Sequence, residues 1–523
     1  MSYISFGFYV FFLFFVLYSL LVPARHRWKV FLTFSIVFYA YAGIGKLLMV
    51  ILSSLFVYLF ARLMGRQYEK YEQEIREKEL PSRERMALLS EYKKKTKRLV
   101  VIALAGMIGV LVLCKTYSKI LGLWEAVTGD ELLLTIIVPL GISYYTFSSV
   151  GYLLDVYWRK TKPEKNYGKL LLCMIYFPQI VEGPISRYDK LLPQFENPKK
   201  ISWQRLCNGL QFMIWGYFKK MVIADRLSVV VTTVLGDPGS YEGFVILIAM
   251  IFSAFHIYAD FSGCMDIVTG ASYIVGVDLD PNFNHPFFSR SVAEFWRRWH
   301  ITLGTWFKDY VYMPIATSPT MMKISKKLKK GFGIKAAKNF SFVIPTAVVW
   351  LLTGLWHNAS FNYLLWGIYY GTLITGSQLL TPWFAKMAKL FHIKTEGASW
   401  HVFQMVRTFC VFMVGRLITV PGTLQGTWIA IRQLFSACNV WVFFDETFYS
   451  LGLGRTEFHI ALAGALLLLL VDALQEKCCL REKIADRNIV LRWTIYFAAF
   501  FLVLILGMYG SEYSTGSFIY AGF

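Results

Sequence analysis

Two histidines stand where a proton could be moved. His357 lies between Trp356 and Asn358 in TGLWHNASFNYLLWG, at the end of an apolar run, and His300 closes the stretch EFWRRWH. An imidazole of unperturbed pKa about 6.5 accepts and returns a proton around neutrality, and desolvation favours its neutral, basic form. Asp260 and Asp266 occupy YADFSGCMDIVTGASYIVG, where a carboxylate at membrane depth is costly and must face a bundle interior or a cavity. They read equally as hydrogen-bonded structural groups or as chemical ones. Trp356, Asn358 and Asn362 are candidates for orienting the imidazole or a substrate, or for packing. Arg297, Arg298 and Trp299 precede His300, and a lysine-rich stretch, KISKKLKKGFGIKAAK, begins at Lys323. Basic side chains are partners for phosphate, although lysines between apolar runs read first as topological charge. Two classes of function fit: base catalysis centred on His357, or a His/Asp proton relay in a transporter. The eight cysteines form no CxxC pair, so neither a metal site nor a disulfide framework is expected.

The surrounding elements belong to a membrane. Of the 523 residues, 56% are hydrophobic and 17% charged, whereas a soluble domain carries about a quarter charged residues. Uncharged runs near the roughly 20 residues that span a hydrocarbon core include Ile4 to Val22, Leu132 to Leu154 and Gly243 to Ala259. The first lacks a basic leader and meets its positive cluster, Arg25-His26-Arg27, on the far side, so it reads as a helix and not a cleaved signal. The net charge of +21 lies between the apolar runs, which is the pattern of a polytopic protein in a lipid bilayer and not of a nucleic-acid binder.

Charge also sets the topology. The segment from Arg62 to Arg98 is too polar for lipid and reads as cytoplasmic helix broken at Pro81. Basic clusters at Arg25, Arg159, Ser186, Lys323 and Glu476 share its side, which puts the N-terminus, the end of a last helix from about Ile489 to Tyr509, and the closing SFIYAGF outside. This threading gives roughly 11 to 13 spans. Leu170 to Tyr188, interrupted by Pro178 and Glu182-Gly183-Pro184, reads as re-entrant. Tyr258 to Gly276 reads as a small-residue helix following the apolar one. Ser291-x-x-Glu294 is a capping-box pattern that starts an amphipathic interfacial helix ending near Pro314. Phe340 to Trp356, 17 residues beyond the lysine-rich stretch, rises roughly 26 Å and carries His357 deep or toward the outer side.

Several of these motifs recur in one order. DFSG, then NFNHPFFSRSVAEFWRRWHITLGTWFKDYVYMPI, then TGLWHNASFNYLLWG and the closing FIYAGF resemble the membrane-bound O-acyltransferase family in its bacterial, alginate-like polysaccharide O-acetylation branch. FPQIVEGPISRY is similar to that family's Gly-Pro re-entrant region, so the resemblance runs from about Val138 to the C-terminus, more loosely before it. It implies an all-α polytopic fold, a ring of tilted helices with re-entrant and amphipathic helices around a central tunnel. It also implies one membrane domain over residues 1–523, with N-terminal helices in 1–131, a catalytic core in 132–380 and C-terminal helices in 381–523.

The resemblance assigns roles as well. The family's Trp-His pattern places the catalytic histidine at His357, and its Arg-Trp-His pattern places a second at His300. Two departures stand out: Asn358 where many relatives have Gly, and Glu182 where relatives are often small or apolar. The implied reaction takes acetyl from cytoplasmic acetyl-CoA, with no bound cofactor, to an exported cell-surface polysaccharide at the plasma or inner membrane, with extracytoplasmic acetyl-transfer partner proteins. The two histidines would line opposite ends of one passage, with Arg297, Arg298 and the lysines near its cytoplasmic mouth. The alternative within the family is transfer of D-alanine from a carrier-protein thioester to teichoic acid.

Overall fold

The computed structural model describes residues 2–78, 81–128 and 137–509. Among them every regular element is a helix, apart from one isolated antiparallel bridge between Phe283 and Trp299. The chain divides into two compact units: one from the described residues up to Leu210 together with Val268–Asp280, the other from Gln211–Ile267 and from Pro281 onward.

The first unit opens with α1 (Phe6–Leu21), α2 (Arg27–Ala42), α3 (Ile44–Lys78) and α4 (Ser82–Thr128). Ser5 starts α1 by accepting the Phe8 N–H, and the break expected around Pro81 falls between α3 and α4. The described part of the run expected from Leu132 is helical as α5 (Ile142–Tyr157); residues 129–136 and the closing SFIYAGF lie outside the described residues. Then α6 (Tyr167–Ile175) and the one-turn α7 (Phe177–Ile180) are separated at Tyr176, ahead of Pro178, and α8 (Tyr188–Glu196) follows an irregular stretch. The interruption expected at Pro178 and Glu182-Gly183-Pro184 is therefore present, and residues 170–186 are buried throughout.

Backbone broken in an apolar interior needs other partners for its amides and carbonyls. Ser35 accepts the Phe177 N–H at 3.1 Å, Tyr3 donates to the Phe177 carbonyl at 2.7 Å, and the Gln179 amide donates to the Cys173 carbonyl at 3.1 Å. The Phe177 ring then meets Phe11, Phe15 and Phe38 at centroid distances of 5.1, 4.8 and 5.5 Å. Gly141 makes room for this turn: at φ +64 it lies so close to the Ile180 carbonyl that an added Cβ would come within 1.8 Å of the oxygen.

After α9 (Trp203–Tyr217), which enters the second unit, a π-helical turn over Phe218–Ala224 leads into α10 (Asp225–Gly236). The two helices expected across Gly243 to Gly276 are one, α11 (Phe244–Ile274). Its small residues do not interrupt it; Gly263 sits where Gly216 approaches, with an added Cβ 2.9 Å from the Gly216 carbonyl. The amphipathic stretch is shorter than expected, α12 (Val292–Arg298), and resumes as α13 (Ile301–Phe307) and α14 (Met313–Ala316). The lysine-rich stretch and the apolar run to His357 form α15 (Pro319–His357), whose backbone leaves helical geometry at Gly333, φ +86, and stays helical through Pro345. The chain continues through α16 (Phe361–Leu390), α17 (Ala398–Thr419), α18 (Leu424–Leu434), α19 (Arg455–Gln475), α20 (Leu480–Ala485) and α21 (Ile489–Leu506).

Among the described residues, seven helices are long and apolar enough to cross a membrane: α3, α4, α11, α15, α17, α19 and α21. They differ in surroundings. In α11, 72% of the apolar window is buried within the protein, whereas in α21 none is, which leaves α21 apolar on faces that only lipid can cover.

Phe177→Ala removes the ring that closes the broken turn. It is expected to cost about 3–5 kcal/mol, read as a fall in melting temperature of the detergent-solubilised protein, while Phe14→Ala, on the exposed side of α1, changes it little.

Candidate active site

His300 is positioned by a local pairing. Ser291 caps α12 by accepting the Glu294 N–H, and the Glu294 carboxylate accepts the Arg290 N–H, so the helix starts where the capping pattern puts it. It does not run on to Pro314. The Asn284 N–H donates to the Arg298 carbonyl at 2.9 Å and the Ile301 N–H to the Asn282 carbonyl at 3.0 Å, which pulls 298–301 out of the helix against 282–284. His300 turns the chain in the left-handed region, φ 48 and ψ 52, a conformation that histidine tolerates better than most residues.

The His300 ring is buried, edge-on to Phe261 at 4.9 Å and 6.1 Å from the Trp356 indole. Its Nδ1 lies 3.2 Å from the Asn282 side-chain oxygen, which also accepts the Thr302 N–H at 3.1 Å and the Thr302 hydroxyl at 2.9 Å. Its Nε2 is buried without a hydrogen-bond partner among the described residues. Burial lowers the His300 pKa to about 3, so the ring is neutral at physiological pH.

His357 ends α15, and Asn358 is the cap, its N–H donating to the Gly354 carbonyl at 3.2 Å. The buried imidazole packs against Trp356 at 4.7 Å, nearly parallel to Tyr363 at 5.8 Å, and edge-on to Trp366 at 5.3 Å. These rings hold station because α15 and α16 touch backbone to backbone. A Cβ on Gly354 would lie 2.3 Å from the Tyr363 carbonyl oxygen, and one on Gly367 would lie 2.5 Å from that of Trp350. Behind Trp366 stands a cluster of Trp296, Trp350 and Tyr370, with Trp296 at 4.9, 5.4 and 4.8 Å from Trp350, Trp366 and Tyr370.

The residues singled out by sequence thus separate. His357, Trp356 and His300 come together, both imidazoles contacting the one indole, so the histidines share a wall where opposite ends of a passage were expected. Trp299 packs at the His300 turn, against Phe295 at 5.5 Å, Phe283 at 5.0 Å and Phe412 at 5.1 Å. Asn358 is half-buried as a helix cap. Asn362 is spent on packing, its amide donating to the Ile418 carbonyl at 2.8 Å and to Thr427 at 3.1 Å. Arg298 pairs with Glu294 at 3.0 Å and Glu476 at 2.5 Å, beside a cleft of about 500 Å³ that Arg290 and Lys477 also line, and Arg297 is exposed. Asp260, fully buried, pairs with Lys220 at 2.6 Å, and Asp266 pairs with Lys219 at 2.7 Å. Glu182 is fully buried in the first unit.

Sequence reasoning did not single out Asn282, Lys219 or Lys220, nor the tryptophan cluster. Part of the last was readable: Tyr363, Trp366 and Tyr370 stand at i, i+3 and i+7 on α16. The lysine partners were not, because they lie some forty residues before the carboxylates that they neutralise.

Residues 166–420 match the model of the membrane-bound O-acyltransferase family, a stretch that holds both histidines, Asn282 and the α15–α16 hairpin. The matched stretch belongs to this family. With seven apolar helices long enough to span, this acyltransferase-family protein is a multi-pass membrane protein. It is similar to the probable alginate O-acetylase AlgI of Pseudomonas aeruginosa, 30% identical over 58% of this chain and 52% of that one. It is also similar to the peptidoglycan O-acetyltransferase of Helicobacter pylori, 27% identical over 46% of this chain and 48% of the relative, and to the teichoic acid D-alanyltransferase of Bacillus subtilis, 28% identical over 47% and 60%. The chain spans about half the length of the first of these relatives.

The glycine contact that sets His357 is open to test. Gly367→Val overpacks the α15–α16 interface, with an expected cost of about 1–3 kcal/mol or more and a loss of activity, whereas Gly376→Ala, on the same helix in open space, is expected to leave melting temperature and activity unchanged.

Proposed function

We propose that this protein is an O-acyltransferase of the plasma or inner membrane that moves acetyl from cytoplasmic acetyl-CoA to a hydroxyl of an exported cell-surface polysaccharide, with His357 as general base. The observation that carries this reading is the buried pair of imidazoles on one indole, inside the family-matched stretch, with aromatic walls around them. The names of the alginate and peptidoglycan relatives support a glycan hydroxyl as acceptor.

The chemistry follows from those needs. His357 takes the hydroxyl proton as the oxygen attacks the thioester carbonyl; the carbon–sulfur bond breaks, and the proton passes to the departing thiolate. A dry pocket protects the thioester from hydrolysis while the transfer proceeds. For the donor's phosphates the best-suited groups are Lys329 and Lys338, which stand on either side of the Gly333 break and line one cleft of about 430 Å³ with Ser325, Ser341 and Tyr312. Our reading keeps a ring of roughly 11 to 13 tilted spans around a tunnel, both termini outside, and extracytoplasmic partner proteins that complete delivery. The teichoic acid relative supports a second reading, a D-alanyl thioester on a carrier protein as donor. A proton-relay transporter is less well supported, since the ion pairs with Lys220 and Lys219 engage both Asp260 and Asp266.

Membranes supplied with labelled acetyl-CoA are expected to place label in polysaccharide or a partner protein; label crossing unchanged would instead mean transport. His357→Ala is expected to abolish acetylation, a loss of about 10²-fold or more, with the protein still in the membrane, and wild-type polysaccharide acetate in that strain would overturn the assignment. His300→Ala weakens transfer substantially. Lys329→Ala and Lys338→Ala are expected to raise the KM for acetyl-CoA with kcat little changed, most at low salt; an unchanged KM would leave those lysines a purely topological role.

A further inference from the structure

We propose that Asn282 is a positioning residue: it takes the Nδ1 proton of His300 and so presents Nε2 as a bare, buried lone pair to a hydrogen-bond donor of the substrate, a hydroxyl or an amide N–H. This rests on the transferase reading above and adds a division of labour between the two histidines.

The tautomer follows from the donors. A backbone N–H can only donate, so the Asn282 atom that receives the Thr302 N–H at 3.1 Å is the amide oxygen, and the Thr302 hydroxyl at 2.9 Å donates to it as well. The same oxygen lies 3.2 Å from His300 Nδ1, which must then carry a proton. In a neutral ring the other nitrogen has none. Nε2 is that nitrogen, and it is buried with no hydrogen-bond partner among the described residues, in a side chain only 3% exposed. An unpaired buried acceptor is a standing cost that a packed interior seldom carries without a use.

The surroundings keep the ring neutral and still. The groups against it come from three elements, Phe261 on α11, Trp356 on α15, and Asn282 with Thr302, and none is charged; His357 lies beyond the Trp356 indole. Asn282 also pairs through its backbone, its carbonyl accepting the Ile301 N–H at 3.0 Å, and its amide nitrogen donates to the Met265 sulfur at 3.2 Å. One residue thus holds the left-handed turn and chooses the tautomer. Because burial favours the neutral form, His300 acts as an acceptor that orients, and the proton itself is left to His357.

The sign with pH is definite. The folded-state pKa of His300 lies below its ordinary value, so its contribution to stability is complete above about pH 6.5 and is lost as pH falls toward 3. Asn282→Asp keeps the shape and the Nδ1–H contact but adds a negative charge, which raises the basicity of His300. Protonation of His300 itself, followed by its ¹⁵N shifts, is then expected to move to higher pH by about 1 to 3 units. Asn282→Leu frees the tautomer and lowers kcat/KM by about 10- to 100-fold. His300→Gln, which keeps an acceptor, retains more activity than His300→Leu.

A raised KM for acetyl-CoA in Asn282→Leu identifies an amide of the donor as the partner, and a raised KM for the glycan identifies a hydroxyl; either supports the proposal. Independently of activity, ¹⁵N spectra of histidine-labelled full-length protein should show His300 with Nδ1 protonated and Nε2 not, a signature lost in Asn282→Leu. Observation of the Nε2–H tautomer in the wild type, or a folded Asn282→Asp protein whose His300 titrates where it does in the wild type, would overturn it. Wild-type membranes that transfer no acetyl while the spectra show the Nδ1–H tautomer would instead sink the transferase reading and leave the positioning of His300 intact.

Discussion

Water is missing from the hydrocarbon layer, and every polar group that this chain carries to such depth must find its partner in the protein. That constraint accounts for features that otherwise look unrelated. In the first unit, the chain breaks at Tyr176, and Ser35, Tyr3 and Gln179 take over the hydrogen bonds that a continuous helix would have made. In the second, two adjacent lysines in the π-helical turn each meet a carboxylate of α11, and Lys220 meets Asp225 as well at 3.0 Å. Even the turn at His300 is held by hydrogen bonds to Asn282 and Asn284.

Such arrangements cost as well as stabilise. A buried ion pair gains little over a well-packed apolar replacement, but loss of one partner strands a charge and is severely destabilising. Lys219, Lys220, Asp260 and Asp266 therefore register α11 against the turn before α10, and they need no direct part in the chemistry. Against this background the exceptions carry information. Among the described residues, His300 Nε2, the Trp296 indole nitrogen and the Tyr370 hydroxyl are buried without hydrogen-bond partners. They lie around the wall of rings that also holds His357.

Much of the fold was legible because it depends on local rules. Apolar length marked the spans, Pro81 and Pro178 marked breaks through a missing N–H, and Ser291 with Glu294 marked a helix start. The readings that failed were those in which a distant segment overrode a local pattern. Residues 282–284 pair with 298–301 and end α12 in the middle of a stripe with helical spacing. Conversely, the small-residue stretch from Tyr258 read as a helix separate from the apolar run before it, although α11 is continuous there and Gly263 serves close packing against Gly216. At Gly333 the backbone leaves helical geometry in a stretch whose lysines read first as topological charge.

The sequence by itself determined that this is a helical membrane protein, which family it resembles, and that His357 and His300 are the groups to watch, because hydrophobic length, loop charge and short motifs are properties of contiguous residues. Only the tertiary structure decided which candidates share a site. His300 and His357 stand 57 positions apart and meet on Trp356, whereas Asp260, Asn362 and Arg298 turn to partners of their own. The same holds for Asn282, whose place beside the imidazole depends on a left-handed turn and a two-stranded pairing. Hydrogen bonds and ring contacts of that kind join residues remote in the chain, and no local pattern records them.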